Sequence, residues 1–259
     1  MNMIKSEFYK LKKTKVFYIC LLACVALAVF SVILAGAIQA GVLVRGVEEA
    51  SEAAEPLTGV SLLEQTLGLD FLPTIIAIFV SVFVAGEFVN GAMKNYVSKG
   101  YNRVGTYLSK FLVCGAAVMT MYIVNITLAC TIGSMIWGFD PTGLATAGSI
   151  AAMVLSEGLL LLAYTSVFVL LAMWLRSNGA SVAVNICVVS LFSTVLMLTA
   201  FITGDSITLA NYWISGNVSA LATIAPESGA VLQGVIVGFC YLIGGTVIGS
   251  LLFKKQDIK

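Results

Sequence analysis

The chain has 259 residues, of which 59% are hydrophobic and 10% are charged, with a net charge of +1 and a mean hydropathy of +1.02. Soluble domains carry roughly a quarter charged residues, so this composition indicates a polytopic membrane protein rather than a soluble enzyme or a nucleic-acid-binding protein. Histidine is absent, which argues against rhomboid-type and metal-dependent intramembrane proteases, since both need an imidazole.

The chain begins with an amphipathic segment. Within residues 1–15, Ile4, Phe8 and Leu11 share one helical face while lysines occupy the rest, which predicts an interfacial helix in the plane of the membrane. An apolar run at 16–44 follows and predicts the first transmembrane helix. The segment Ala35-Gly36-Ala37 resembles a signal-peptidase site, but the run is longer than the ~7–15 residues of a signal peptide, so we expect no cleavage.

An acidic segment from Arg45 to Asp70 separates the first two apolar runs, and we predict an external loop. Its carboxylates are Glu48, Glu49, Glu52, Glu55, Glu64 and Asp70. Five further apolar runs predict transmembrane helices at 71–88, 107–137, 147–175, 180–203 and 231–253. The mixed stretch between the last two includes Tyr212 and Trp213, which suit a membrane interface, and it has room for a short re-entrant helix. We therefore predict an all-α fold of six membrane helices in one domain, 1–259.

The basic residues predict the orientation of these helices. Of the 14 lysines and arginines, only Arg45 falls in a segment that would be external if the N-terminus is cytoplasmic. By the positive-inside rule, both termini and the polar loop 89–106 are expected in the cytoplasm.

The six cysteines, Cys20, Cys24, Cys114, Cys130, Cys187 and Cys240, all fall in apolar runs. We expect them to be reduced and buried as small hydrophobic side chains. Cys20 and Cys24 have helical spacing but no histidine or carboxylate nearby, so no metal site is predicted, and no cofactor is implied.

The stretch from Glu87 to Lys110, EFVNGAMKNYVSKGYNRVGTYLSK, is a basic interruption between two apolar runs. Glu87 and Lys94 lie about two helical turns apart, as do Arg103 and Lys110, so a helix, a break and a second helix would present charge along one edge. A docking surface is one interpretation. The alternative is a basic loop that only sets orientation.

This stretch resembles the loop after the second membrane helix of ABC-2 type permeases, the membrane subunits of ABC exporters. In that family the loop carries a coupling helix that fits a cleft of the ATPase subunit. The resemblance assigns ATPase coupling to Glu87, Gly91, Lys94, Arg103 and Lys110. Ala92 stands where threonine is usual and Gly100 where proline is common. The ending FKKQDIK is also similar to the usual ending of the family.

The resemblance implies a transport subunit that is not itself an enzyme. It would work as a dimer with an identical or similar permease, on two copies of a separate ATPase. The chain contains no G-x-x-x-x-G-K-[ST] phosphate-binding loop, so energy must come from a partner or from a gradient. A secondary transporter driven by an ion gradient is the alternative, although neither an inverted repeat nor many buried ionisable groups are evident.

Three polar residues inside the predicted spans are candidates for a substrate path: Glu157, Asn125 and Asn185. A buried carboxylate is costly, so Glu157 would contact substrate or a proton, or else reach water at the outer interface or bond to a neighbouring helix. The two asparagines equally suit hydrogen bonds between helices.

The size of the chain and its short external loop resemble permeases of lantibiotic-immunity and bacitracin-resistance exporters, which remove antimicrobial peptides from the bacterial plasma membrane. The acidic loop would attract cationic peptides over about a Debye length. Alternatively, the loop is acidic only because external loops avoid positive charge. Small lipophilic drugs and lipid-linked compounds remain open as cargo.

Overall fold

The computed structural model describes residues 3–39, 58–68, 71–93, 96, 100–139, 147–203, 212–223 and 229–256. Within these ranges nearly all residues are helical and none is in a strand. The helices are α1 (Met3–Lys13), α2 (Lys15–Gln39), α3 (Gly59–Gly68), α4 (Phe71–Val89), α5 (Arg103–Trp137), α6 (Ala147–Leu175), α7 (Asn178–Thr203), α8 (Ile214–Leu221) and α9 (Ala230–Lys255).

Six of these helices, α2, α4, α5, α6, α7 and α9, are long and apolar enough to cross a membrane. The short α1 precedes them and packs against the start of α5. The chain is therefore an all-α polytopic membrane protein, and the predicted fold class is confirmed.

Helix α5 begins at Arg103, one turn before the predicted apolar span at 107–137. The reason is a capping interaction, because the side chain of Asn102 accepts a hydrogen bond of 3.1 Å from the backbone N–H of Val104. The preceding α4 ends at Val89, and Gly91 follows with a φ of +69°. Glycine reaches this left-handed conformation without steric cost, so it suits the residue after a helix end.

Two short helices lie between the predicted spans, one in the segment assigned to the acidic loop and one in the mixed stretch that has room for a short re-entrant helix. Helix α3 buries Leu62, Leu63 and Leu67 although it falls inside the predicted acidic loop. Residues 45–57, 69 and 70 of that loop, and residues 40–44 of the predicted first span, lie outside the described residues. Helix α8 occupies part of the mixed stretch 204–229. The two helices meet at Gly68, where a Cβ would lie 3.4 Å from the Cβ of Ala222. Together they cover one end of the bundle.

Four glycines of α9 form two pairs with small-xxx-small spacing, 234 with 238 and 245 with 249, a pattern that allows close helix packing. A Cβ on Gly238 would lie 2.9 Å from Leu159 of α6, and one on Gly245 would lie 2.6 Å from the Ser166 hydroxyl of the same helix. Added Cβ atoms on Gly234 and Gly249 would collide with Leu221 and Tyr107. These glycines therefore bring α9 against α5, α6 and α8.

The two ends of the bundle differ in charge. Five helix segments meet at one end, which we call the basic end: α1, the C-terminal ends of α4 and α9, and the N-terminal ends of α5 and α7. Helix α3 lies at the opposite end, where the N–H of Gly59 donates to the carbonyl of Gly138, 2.8 Å away. The basic end gathers the charged side chains.

Three of the six cysteines differ from prediction. Cys20, Cys24 and Cys114 are buried, but Cys130 on α5 is half-buried, and Cys187 on α7 and Cys240 on α9 are exposed. The expectation that all six are buried is wrong for these three. The two exposed cysteines lie on helices that the rest of the chain covers poorly, because only 18% of the α7 span and 22% of the α9 span are buried inside the chain. An apolar face in a membrane protein can meet lipid or another subunit as well as its own core.

Candidate functional site

A buried ion pair joins α1 to α4 and α5 at the basic end. Lys110 of α5 and Glu7 of α1 are both completely buried, and the Lys110 ammonium donates to Oε2 of Glu7. The same ammonium pairs with Oε1 of Glu87, in the last turn of α4. A single cation therefore holds two carboxylates that lie 80 residues apart in sequence.

Lys10 and Tyr96 complete this arrangement. The Lys10 ammonium lies 3.0 Å from Oε1 of Glu87 and 3.1 Å from Oε1 of Glu7. The Tyr96 hydroxyl donates to Oε1 of Glu7 at 2.6 Å and accepts from Lys10. We call Glu7, Lys10, Glu87, Tyr96 and Lys110 the ion cluster. Its two ammonium groups balance its two carboxylates.

The environment favours the ionised form of the two charged side chains that α1 contributes to the ion cluster, Glu7 and Lys10. Burial opposes the charged form of Glu7, but Lys110, Tyr96 and Lys10 together outweigh burial and hold the pKa of Glu7 below its ordinary value of 4.5. Burial also opposes the charged form of Lys10. Its hydrogen bond to Tyr96 and its attraction to Glu87 and Glu7 outweigh that effect and raise the pKa of Lys10 above 10.5. Both groups are therefore charged at neutral pH.

The structure places the predicted coupling residues in different environments. Glu87 and Lys110 are brought together, but as buried members of the ion cluster rather than as a solvent-facing edge. Gly91 lies just after the end of α4, and Lys94 lies outside the described residues. Arg103 donates to the carbonyls of Lys254 and Gln256, at 3.1 and 2.7 Å. It therefore ties the start of α5 to the end of α9, where unpaired helix carbonyls accept a cation.

Three members of the ion cluster were missed by the sequence reasoning: Glu7, Lys10 and Tyr96. One signal was available, because Glu7 is the single carboxylate among the five lysines of residues 1–15. Glu7 and Leu11, one turn apart, form the buried face of α1, while Ile4 and Phe8 are exposed. Helix α1 therefore presents one face to the protein and an apolar one outward.

The candidate substrate-path residues lie inside the bundle. Glu157 of α6 is 1% exposed, and its Oε1 has no hydrogen-bond partner among the described residues. The amide of Asn125 donates to the carbonyl of Cys24 at 3.2 Å and links α5 to α2. The amide of Asn185 donates to the Ser81 hydroxyl at 2.7 Å and links α7 to α4. The structure does not bring these three residues to one site.

Residues of α2, α3 and α4, together with Asn125 of α5, line a small cleft. The cleft has a volume of about 50 Å³ and an almost entirely apolar lining. Within the described residues, no group of three or more cysteine, aspartate or glutamate side chains is placed to hold a metal ion.

The comparisons with known proteins agree with the fold. The sequence pattern of the family described as ABC-2 family transporter protein matches residues 3–192. This range runs from α1 into α7 and contains every residue of the ion cluster. A comparison with curated proteins gives no significant match. A match over most of the chain, together with six apolar helices, shows that the chain belongs to the ABC-2 family of transporter permeases.

Proposed function

We propose that the chain is the membrane subunit of an ATP-driven exporter, energised by a separate ABC ATPase that contacts the loop 89–106. The observation that carries this proposal is the family match, which includes that loop and the ion cluster around it. In this proposal two ATPase copies serve a dimer of this chain with an identical or similar permease. The permease would lie in the bacterial plasma membrane, with both termini in the cytoplasm.

The ion cluster supports a mechanical role for this loop. The chain on either side of it is tied to α1, because Glu87 precedes the loop, Lys110 follows it, and both contact side chains of α1. Tyr96, inside the loop, donates to Glu7 as well. A partner that displaces the loop would move α1, α4 and α5 together. We propose that Glu87, Gly91, Lys94, Arg103 and Lys110 serve coupling in this way.

The ATPase contact is tested by crosslinking at two exposed aromatic positions. Tyr101, at the basic end, and Phe139, at the opposite end, are 42% and 46% exposed. Each is changed to cysteine in a background with Cys187 and Cys240 replaced by serine, and the full complex is treated with a hydrophilic thiol crosslinker.

We expect the Tyr101→Cys protein, but not the Phe139→Cys protein, to crosslink to the ABC ATPase. ATP hydrolysis by the complex should also rise when substrate is present. An ATPase that crosslinks equally at both positions, or at neither, would contradict the assignment of the loop.

A secondary transporter remains the second candidate, and Glu157 is the observation that favours it. A buried carboxylate oxygen without a partner among the described residues suits a group that binds a proton or a substrate cation. In proteoliposomes, transport that persists without ATP and follows an imposed proton gradient would favour this reading. Transport that needs ATP and survives Glu157→Gln would remove it.

We propose antimicrobial peptides as the substrates, on the resemblance to lantibiotic-immunity permeases and on the acidic loop. The loop residues concerned, Glu48, Glu49, Glu52 and Glu55, lie outside the described residues. A sensitive host expressing the chain with its ATPase should gain resistance to a cationic peptide. Replacing the four glutamates by glutamine should lower that resistance, more at low than at high salt because salt screens attraction between exposed charges. No protection against any membrane-active peptide would refute the substrate class and leave the family unaffected.

A further inference from the structure

A second feature of the basic end is a pocket beside the ion cluster. It has a volume of about 470 Å³ and is lined by residues of α1, of the start of α2, of the end of α4 and of the start of α7. Lys10 and Lys13 contribute cationic side chains, Asn90 and Asn178 contribute amides, and Val82 and Phe83 of α4 form an apolar wall. The lining is thus apolar on one side and polar on the other.

The accessible charge of the pocket is positive. The carboxylate of Glu87 also lines it, but this group already pairs with Lys10 and Lys110. Lys13 is exposed, and its ammonium lies 4.7 Å from the ring centroid of Tyr9. Among the described residues no carboxylate lies within ion-pair distance of Lys13. An anion in the pocket would therefore meet a cation that pairs with no carboxylate in the described part of the chain.

The pocket lies at the level where three membrane spans begin or end. Val16 is next to the start of the α2 span at Lys15, Asn178 starts the α7 span, and Phe83 is in the last two turns of the α4 span, which ends at Val89. With the ends of these spans at the membrane surface, the apolar wall would lie at the depth of the hydrocarbon, and the lysines and amides at the depth of the headgroups. Exposed Ile4 and Phe8 place α1 at the same boundary.

We propose that this pocket binds the headgroup of an anionic phospholipid, with its phosphate between Lys13 and the amides of Asn90 and Asn178. The apolar wall of Val82 and Phe83 would contact the first carbons of an acyl chain. A free phosphate ion satisfies the cationic side but makes no use of that wall, and a zwitterionic headgroup gains less from Lys13. Anionic lipids also concentrate at membrane surfaces where lysines cluster.

The test measures lipid retained by the purified full chain. The protein in a neutral detergent is titrated with phosphatidylglycerol or phosphatidylcholine, and bound lipid is counted by native mass spectrometry. We expect tighter retention of phosphatidylglycerol, and Lys13→Gln should weaken it about fivefold, the effect of one lysine near an anionic surface. Lys12→Gln is the matched control, because Lys12 is exposed on the same helix but does not line the pocket.

A second variant fills the pocket instead of changing its charge. Gly86 lines the pocket, and a Cβ there would lie 3.7 Å from the nearest side-chain atom, so a side chain can start at this position and Gly86→Leu would extend into the pocket. Thermal unfolding is measured first, to establish that the variant folds. The variant should lose the selective retention of phosphatidylglycerol.

Four results would overturn the proposal. Equal losses in the Lys12 and Lys13 variants would indicate general surface attraction. Unchanged retention in Gly86→Leu would place the lipid elsewhere. Displacement of phosphatidylglycerol by millimolar inorganic phosphate would identify a free-phosphate site. Unchanged lipid retention in Lys13→Gln, with loss of the copurifying ATPase, would identify a protein interface.

Discussion

Lys110 illustrates how a membrane protein can accommodate a fully buried lysine side chain. Removing an ammonium group from water costs several kcal/mol, and one carboxylate at close range does not always offset that cost. Lys110 has two carboxylates, Glu7 and Glu87, and each of these also contacts Lys10. The additional hydrogen bond from Tyr96 to Glu7 leaves fewer polar atoms without partners. The cluster is balanced as a group rather than pair by pair.

Glu7→Gln tests this balance without a change in side-chain size. The variant leaves two ammonium groups to share Glu87, so we expect a loss of stability of about 2–3 kcal/mol, at or below the range for breaking a simple buried pair. Lys5→Gln on the exposed side of the same helix should change stability by less than about 0.5 kcal/mol. Thermal unfolding in detergent measures both. A double variant, Glu7→Gln with Lys110→Met, should lose less than the sum of its single variants; additive losses would show that the two residues are not coupled.

The same variant should alter the pH dependence of stability. The pKa of Glu7 is lowered from 4.5 in the folded chain, so its contribution is present above pH 4.5 and is lost as pH falls through the folded value. The pKa of Lys10 is raised from 10.5, so its contribution is present below pH 10.5 and is lost as pH rises through the folded value. We expect the difference between the wild-type chain and Glu7→Gln to be constant between about pH 5 and 10 and to shrink in acid. A difference that changes near pH 7 would contradict these ionisation states.

At the scale of the elements, α9 packs against its neighbours through its glycines. Substitutions at two adjacent glycines distinguish the effect of close packing from the effect of helix propensity. A Cβ on Gly245 would lie 2.6 Å from the Ser166 hydroxyl and 3.3 Å from the backbone carbon of that residue, whereas one on Gly244 would meet nothing within 4 Å. The Ser166 hydroxyl cannot move freely, because it donates to the carbonyl of Tyr241 on α9 at 2.9 Å.

Gly245→Ala should therefore destabilise the chain by about 1–3 kcal/mol through overpacking. Gly244→Ala should be neutral or stabilising by up to about 1 kcal/mol, since alanine favours a helix interior. Thermal unfolding of the two variants in the same detergent gives the comparison. Equal stability would mean that α6 and α9 can separate without cost.

At the scale of the whole molecule, burial is uneven among the spans. The α6 span is 61% buried and lies at the centre of the bundle, whereas the α2, α7 and α9 spans are 28%, 18% and 22% buried. The exposed apolar faces of these three helices need lipid or a second subunit to cover them. This distribution is expected of a chain that is surrounded by lipid or packs against another subunit in the membrane.

The orientation of the bundle is a prediction at this scale. In intact cells, a membrane-impermeant thiol reagent should label Phe139→Cys but should label Tyr101→Cys only after permeabilisation. The physical reason is the concentration of lysine and arginine at the basic end, which favours the cytoplasmic side. The native exposed cysteines, Cys187 and Cys240, lie within apolar spans and are replaced by serine as a precaution. The opposite labelling pattern would invert the proposed topology and remove the ATPase contact from the loop.

The amino-acid sequence alone determined the fold class, because the transfer of a run of about 20 residues into a bilayer depends on the composition of that run and not on its neighbours. The cap at Asn102 and the glycine spacing of α9 could likewise be identified locally.

Only the tertiary structure decided which partners these segments meet. Glu7 and Lys110 lie 103 residues apart, and no local pattern links them. Packing between distant segments also decides that α3 is buried although it lies in an acidic segment, and that Cys187 and Cys240 are exposed. Hydrophobic periodicity shows that a helix has an apolar or a small-residue face, but whether lipid, another helix or a buried charge covers that face depends on how the whole chain packs.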